Sequence, residues 1–393
     1  MKNITIICEY DPFHNGHAYQ ITSLRREYPG AGIICIMSGN FTERAEPAMT
    51  GKFERARAAV RCGADLVLEL PFPYSCAGAE FFASAGVHIA DSLGTVDMLS
   101  FGSECGDIET IKKTANDLLS PEFNEALLSA KDKEREKSYA VLREEVYGLL
   151  YGGEDILKQP NNILALEYVK AIIEKNSAIR PITLKREGAG YNEKELIGKK
   201  YPSASALRTK IKIDGIEAVR EYMPGAAYEV FENREYADVK YIERGILASL
   251  RLADPDEFEN ISEASGGLGR RICELSKSAK SLDELFSDAA TKRYTNAKIR
   301  RAVLNYLIGV REEDVKAPPR YTQLLAANAK GREILKKAKT NFTVLTRPSE
   351  YKSCDAATRA QILLSHRADS IYSLMFPNAK SAYEYITASP YVE

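Results

Sequence analysis

Four stretches near the N-terminus are apolar almost throughout: ITIICEY (4–10), GIICIMSG (32–39), DLVLELPF (65–72) and TVDMLSFGS (95–103). Short continuous apolar runs bounded by turn residues read as strands buried on both faces. Between them, about 15–28, 51–62 and 78–92 carry helical spacing, the last two closing on Gly63 and Gly94. Strands and helices alternating in this way predict a parallel sheet covered on both sides. A charged helical segment is expected at about 121–150, and after the turn KQPNN either Asn161 or Asn162 is placed to cap the helix ILALEYVKAIIEK. A fifth strand, PITLKRE (181–187), completes the sheet, and the turn YPSASALRTKI starts a helix at Ser203 or Ser205. After about residue 215 the strand signal fades into amphipathic helices such as YIERGILASLRLA and YTNAKIRRAVLNYLIGV. A chain of 393 residues exceeds one ordinary core. Two domains are therefore expected, an α/β unit at 1–214 and a mainly helical unit at 215–393.

In a doubly wound sheet, ligands collect beyond the carboxyl ends of the strands, here Glu9–His17, Ser38–Glu43, Pro71–Ser75 and Phe101–Glu104. The first of these contains EYDPFHNGHAYQ (9–20), which holds His14 and His17, two of the four histidines in the chain. A helix starting just after His14 turns its unpaired N–H groups and positive dipole end toward the strand tips, where an anion is favoured. Gly16 lets a ligand approach the backbone. Imidazoles three residues apart on that turn can both donate to one phosphate and stabilise the charge that builds at phosphorus. The same pair could instead bind a metal, with Glu9 or Asp11 as a third ligand.

The composition is that of a soluble globular protein, 45% hydrophobic and 28% charged. The first apolar run reaches Glu9 too soon for a signal sequence or a membrane span, so a cytoplasmic location is expected. Seven scattered cysteines form no C-x-x-C pair and read as reduced, mostly buried thiols. The net charge of −1 hides an asymmetry: 291–350 carries 14 Lys and Arg against 5 Asp and Glu, leaving −10 for the remainder. Basic residues interleaved with Tyr294, Tyr306, Tyr321 and Phe342 suit a polyanion with stackable bases, or a solvated helical surface. A second basic block, 181–212, has 8 Lys and Arg against 3 Asp and Glu.

His14-Asn15-Gly16-His17 after the first strand resembles the HxGH signature of the nucleotidyltransferase-like superfamily. Ser203-Ala204-Ser205-Ala206-Leu207-Arg208 resembles its second signature, of the ISSTxIR type. EYDPFHNGH, MSGNFTERAEPA, GADLVLELPF, SFGSECGDI, PNNILALEY and KREGAGY, in that order, are similar to the bacterial tRNA(Met) cytidine acetate ligase family, as is the basic KRYTNAKIRR (292–301). The likeness spans essentially the whole chain. The family often has Asn at the position of Asp11 and Gln-Arg-Gly where this chain reads Glu43-Arg44-Ala45.

The resemblance implies a Rossmann-like parallel sheet of the HxGH nucleotidyltransferase type followed by a helical C-terminal domain. It implies a cytoplasmic ligase that joins acetate to ATP as acetyl-adenylate, releasing pyrophosphate, and passes the acetyl group to N4 of the wobble cytidine of elongator tRNA(Met). No membrane and no stable protein partner enter this picture. Catalytic roles fall on His14, His17, Ser203, Ser205 and Arg208. ATP, with Mg²⁺, is held by Ile7, Cys8, Glu9, Tyr10, Asp11, Pro12, Phe13, His14, Asn15, Gly16, His17, Ala18, Tyr19 and Gln20, with Gly102, Asn161 and Arg186. Asp11 could help hold that Mg²⁺, and no metal is expected to reside on the protein itself. Lys292, Arg293, Lys298, Arg300 and Arg301 are the expected RNA contacts. Two rival readings use the same residues: an adenylyltransferase of cofactor synthesis with a small phosphorylated acceptor, and an RNA-binding protein whose nucleotide pocket is vestigial.

Overall fold

The computed structural model describes residues 2–134, 137–186, 201–338, 340 and 342–393. Its centre is the expected sheet: β1 (Asn3–Cys8), β2 (Gly32–Ser38), β3 (Leu66–Leu70), β4 (Met98–Ser103) and β5 (Arg180–Lys185). These five pair in parallel in the order β5-β4-β1-β2-β3. Helices α1 (Asn15–Glu27), α2 (Lys52–Arg61) and α3 (Ala79–Ser92) make the first crossovers. Alternate side chains sort into two cores: Ile4, Ile6, Ile33, Cys35 and Val67 on one face, Ile36, Leu70, Leu99 and Phe101 on the other. Strands β2 and β3 lie to one side of β1, and β4 and β5 to the other. The strand order therefore reverses between β1 and β4, opening a crevice at their carboxyl ends.

Two details depart from the sequence pattern. The segment 121–150 is two helices, α5 (Pro121–Lys133) and α6 (Tyr139–Tyr151), following α4 (Ile108–Leu119). Ser138 accepts the Val141 N–H and begins a new helix where the charged pattern suggested one continuous element. Helix α7 (Pro160–Glu174) starts at its proline with Gln159 as N-cap, so neither Asn161 nor Asn162 caps it.

Helix α8 (Ala204–Asp214) is capped by Ser203, as expected. Beyond it come α9 (Gly225–Phe231), α10 (Glu243–Arg251), α11 (Pro255–Glu259), α12 (Leu268–Ser276), α13 (Leu282–Ala289), α14 (Asn296–Ile308) and α15 (Glu312–Lys316). Three short strands interrupt this mainly helical segment. Strand β6 (Tyr321–Ala327) returns to the sheet and pairs antiparallel with β3, carrying β7 (Thr343–Leu345) and β8 (Tyr391–Val392) beside it. An uncovered β3 would be an open edge of fully buried and mostly apolar residues, and β6 closes it. Between and after these strands run α16 (Ala329–Lys337), α17 (Ala356–Ser373) and α18 (Tyr383–Ile386).

Contacts cross the expected boundary at 214. Lys52 of α2 reaches Glu69 of β3 and Asp369 of α17, both at 2.9 Å, with all three side chains at most 4% exposed. All seven cysteines are free thiols, three of them buried and four half-buried. Among the described residues no helix is long and apolar enough to cross a membrane.

Candidate active site

The chain leaves β1 through a constrained turn. Tyr10 lies in the left-handed region at φ 52°, and the Asp11–Pro12 bond is cis. Tyr10 is fixed there by packing: its hydroxyl meets Cys35 Sγ at 3.5 Å, and its ring lies 4.8 Å from both Phe13 and His17. Helix α1 then opens with a reciprocal cap made by imidazoles. The Gly16 N–H donates to His14 Nδ1 at 3.0 Å, and the His14 N–H donates to His17 Nδ1 at 3.3 Å. A ring nitrogen that accepts carries no proton, so each neutral imidazole holds its hydrogen on Nε2. The rings lie 3.8 Å apart at 32°, forming a pair of donors set by the cap of a helix whose N-terminus is electropositive.

Both rings are held neutral. Burial, then the Arg186 cation, lowers His14 to about 3. Burial, then His14 and Arg186, lowers His17 well below its usual value. Gly16 also serves the turn itself. A Cβ there would meet His14 Cε1 at 2.8 Å, so glycine makes room for the imidazole that caps its own N–H. Gly16→Ala is expected to cost nearly as much turnover as loss of the His14 ring, with a melting temperature close to that of the parent; steady-state kinetics and calorimetry check this.

A cleft of about 210 Å³ lies at the switch point. It is lined by Ile7, Cys8, Glu9, Tyr10, Asp11, His14, His17 and Gln20 from the first turn, and by Gly102, Asn161 and Arg186 from the β4–β5 side. Ser203, Ser205 and Arg208 face it from the first turns of α8. Gly16 and Tyr19 line its continuation past Tyr201, whose ring stacks 5.3 Å from Tyr19. Four residues of the first turn do not line it. Pro12 and Phe13 are buried, Ala18 packs on the core, and Asn15 donates to the Glu221 carbonyl.

Arg208 is tied to the turn after β1: Nη1 donates to the Asp11 carbonyl at 2.9 Å, and Nη2 lies 3.7 Å from Glu46. The carboxylates that could have completed a metal site are engaged with backbone. Glu9 accepts the Glu43 N–H at 2.8 Å and Asp11 the Met49 N–H at 2.9 Å. Among the described residues no cluster of three or more His, Cys, Asp or Glu is placed to hold a metal ion. A side chain at Gly102 would meet Arg186 at 3.1 Å, so this glycine seats the arginine. Asn161 donates to Glu104 at 2.6 Å, joining α7 to the end of β4. The rest of KREGAGY after Arg186, and 187–200 of the second basic block, lie outside the described residues.

Thr42 and Glu43, within the strand end expected to meet ligands, line the cleft with Arg44 from the loop after β2, whereas Leu164 and Tyr168 of α7 were not singled out by the sequence. MSGNFTERAEPA lies at a strand's carboxyl end, which was the signal for the loop residues. Buried Arg55 organises this loop by donating to the carbonyls of Glu9, Ser38, Gly39 and Thr50. Ala45 stands at φ 56°, a conformation that suits the glycine usual in the resembled family. Ala45→Gly is expected to stabilise the fold by about 0.5 kcal/mol, read as a rise in the urea midpoint.

The basic residues separate into two groups. Lys292 and Arg293 are exposed and Lys298 is half-buried. Arg300 pairs with Glu46 at 2.5 Å, whereas Arg301 is buried and pairs with Glu263 at 2.8 Å and Glu43 at 3.3 Å. Arg301 therefore supports the loop after β2 from behind instead of presenting charge to solvent.

Residues 1–385 match the family described as HIGH Nucleotidyl Transferase. Fold and cleft together thus define a nucleotidyl transferase of the HIGH class. The chain is 36% identical to a tRNA(Met) cytidine acetate ligase of Clostridium perfringens over 98% of both chains. It is 34% identical to the Halothermothrix orenii protein of the same name, over 87% of this chain and 85% of that one. The crystal structure of apo Thermotoga maritima TmcAL superposes with a TM-score of 0.93 at 30% identity, covering 100% of this chain and 99% of that one. A second structure of that protein, bound with alpha-thio ATP, superposes with a TM-score of 0.90 at the same identity and coverage. The chain belongs to the tRNA(Met) cytidine acetate ligase family, a family of ligases.

Proposed function

We propose that this chain activates acetate with ATP and acetylates N4 of the wobble cytidine in elongator tRNA(Met). The observation that carries the reading is the pair of Nε2–H donors on α1, facing the same cleft as the Ser203–Arg208 turn of α8. In the first step an acetate oxygen attacks the α-phosphorus and the bond to the bridging oxygen of the β-phosphate breaks. Pyrophosphate leaves with the electron pair. His14 and His17 donate to the α-phosphate oxygens, whose charge grows in the transition state, and they need no proton of their own to transfer. Ser203, Ser205, the N-terminal amides of α8 and Arg208 hold the leaving phosphates. The adenosine lies toward Gly102, Asn161 and Arg186, against Phe101 and Tyr168. Asp11 Oδ2, which makes no hydrogen bond but lies 3.8 Å from Arg208 Nε, would help hold the Mg²⁺ that neutralises phosphate charge.

In the second step the cytidine N4 attacks the acetyl carbon, the bond from that carbon to the adenylate oxygen breaks, AMP leaves and N4 loses a proton. Here orientation matters more than acid–base strength. The reading also places the protein in the cytoplasm, without a membrane or a standing protein partner.

Incubation with ATP, labelled acetate and total tRNA, followed by nucleoside analysis, tests this. Labelled N4-acetylcytidine confined to tRNA(Met), with AMP and pyrophosphate, is the expected result. Pyrophosphate release that ignores acetate and follows a small phosphorylated acceptor would overturn it in favour of cofactor synthesis. Because Lys292 and Arg293 are exposed just before α14, reversing both charges should weaken tRNA binding. It should also flatten the plot of log affinity against log salt by about 1 to 2 units.

A further inference from the structure

A larger cavity, about 490 Å³, adjoins the nucleotide cleft and shares Ser205 and Arg208 with it. Its volume lies in the range of about 300–1,000 Å³ typical of small-molecule sites. It opens between the loop after β2, helix α8 and the helical segment α10–α14. Much of its wall is apolar, with Phe41, Val303, Leu304, Leu307 and Met375. Such apolar patches suit the faces of a base. The Arg300 guanidinium lies 5.6 Å from the Phe286 ring centroid, and a guanidinium plane is a platform on which unstacked bases settle. Helix α14 supplies Arg300, Val303, Leu304 and Leu307 to this wall and begins three residues after exposed Arg293.

One carboxylate sits where the two spaces meet. Glu46 is bonded to Arg300 at 2.5 Å on the large-cavity side and lies 3.7 Å from Arg208, which faces both spaces. Cytosine differs from uracil by presenting an amine where uracil presents a carbonyl, and a carboxylate accepts from the first and repels the second. Resting on the function proposed above, we infer that this cavity is the pocket for the flipped acceptor cytosine and that Glu46 reads its exocyclic amine. The amine is then delivered beside the phosphate turn, where the acetyl-adenylate forms. As N4 attacks the acetyl carbon and AMP departs with the bonding pair, the proton lost from nitrogen passes to the Glu46 carboxylate.

The test uses the full-length enzyme with two plugs and one change of chemistry. Thr209 is exposed on α8, Leu307 is half-buried on α14, and of the two spaces each lines only the large cavity. Thr209→Trp and Leu307→Trp are each expected to lower tRNA acetylation at least tenfold while acetate-dependent ATP–pyrophosphate exchange stays within twofold of the parent. Glu46→Gln is read by binding: the parent prefers an anticodon stem–loop RNA with cytosine at the wobble position over the same RNA with uracil, and the variant loses that preference. Normal acetylation by both plugged variants, or exchange lost in step with acetylation in both, overturns the inference. So does an unchanged cytosine preference in Glu46→Gln. Absence of acetate-dependent exchange in the parent is a separate result, which would remove the proposed function itself.

Discussion

Replacing His14 with alanine is expected to slow acetyl-adenylate formation by about a hundredfold or more, and His17→Ala by a similar factor. Removal of one preorganised donor to developing oxyanion charge costs about 10²–10³ in turnover. The loss should appear in kcat, with KM for ATP little changed, because the donors strengthen as charge grows. The two changes should not be additive. His17 accepts the His14 N–H and His14 accepts the Gly16 N–H, so each ring is positioned by the same first turn as the other.

The pH behaviour follows from the same geometry. Since burial and Arg186 hold His14 near 3 in the folded protein, no activity limb with a midpoint near 6.5 should arise from this ring in the free enzyme. Stability behaves differently. Between pH 6.5 and about 3 the unfolded chain binds a proton at this position that the folded chain does not, so stability is complete above that window and falls as the pH drops through it. At pH 5 the contribution amounts to about 2 kcal/mol, and His14→Ala should show a correspondingly flatter acid limb in urea unfolding.

Lys52→Met is expected to destabilise the fold by about 3–5 kcal/mol, the cost of leaving buried carboxylates without their cation. Lys52 bonds Glu69 through both carboxylate oxygens and Asp369 through one, and the two acids hold its ammonium protonated well above the usual range. Asn40 completes the cluster by donating to Asp369 at 2.8 Å. The unfolding midpoint reads the effect, and Asp369→Asn in the Lys52→Met background should recover part of it. The cluster joins α2 and β3 to α17, residues separated by about three hundred positions in sequence. Its loss therefore tests whether the C-terminal segment is integral to the sheet domain.

The first four strands were legible because buried parallel strands are apolar on both faces, a pattern that survives without knowledge of neighbours. The HxGH turn was legible for a related reason: its position after β1 and before a helix is local. What escaped the sequence was non-local. Strand β6 is a seven-residue run in a helix-rich, basic stretch, and only the open edge of β3 makes it a strand. Pro318 and Pro319 before it and Asn328 after it bracket a length suited to a strand, a signal that the helical pattern outweighed. Arg301 likewise reads as one of several cations. Its burial against Glu43 and Glu263 depends on elements far apart in the chain. At Gly16 a Cβ would meet the His14 imidazole, a constraint that depends on the ring's rotamer and so is not written in the sequence.

The most direct test is a crystal structure of this enzyme with a non-hydrolysable ATP analogue. The account predicts both Nε2 atoms at about 3 Å from α-phosphate oxygens, with both Nδ1 atoms still accepting from the backbone. An α-phosphate bound away from the two rings, or rings turned so that Nδ1 faces the nucleotide, would contradict it.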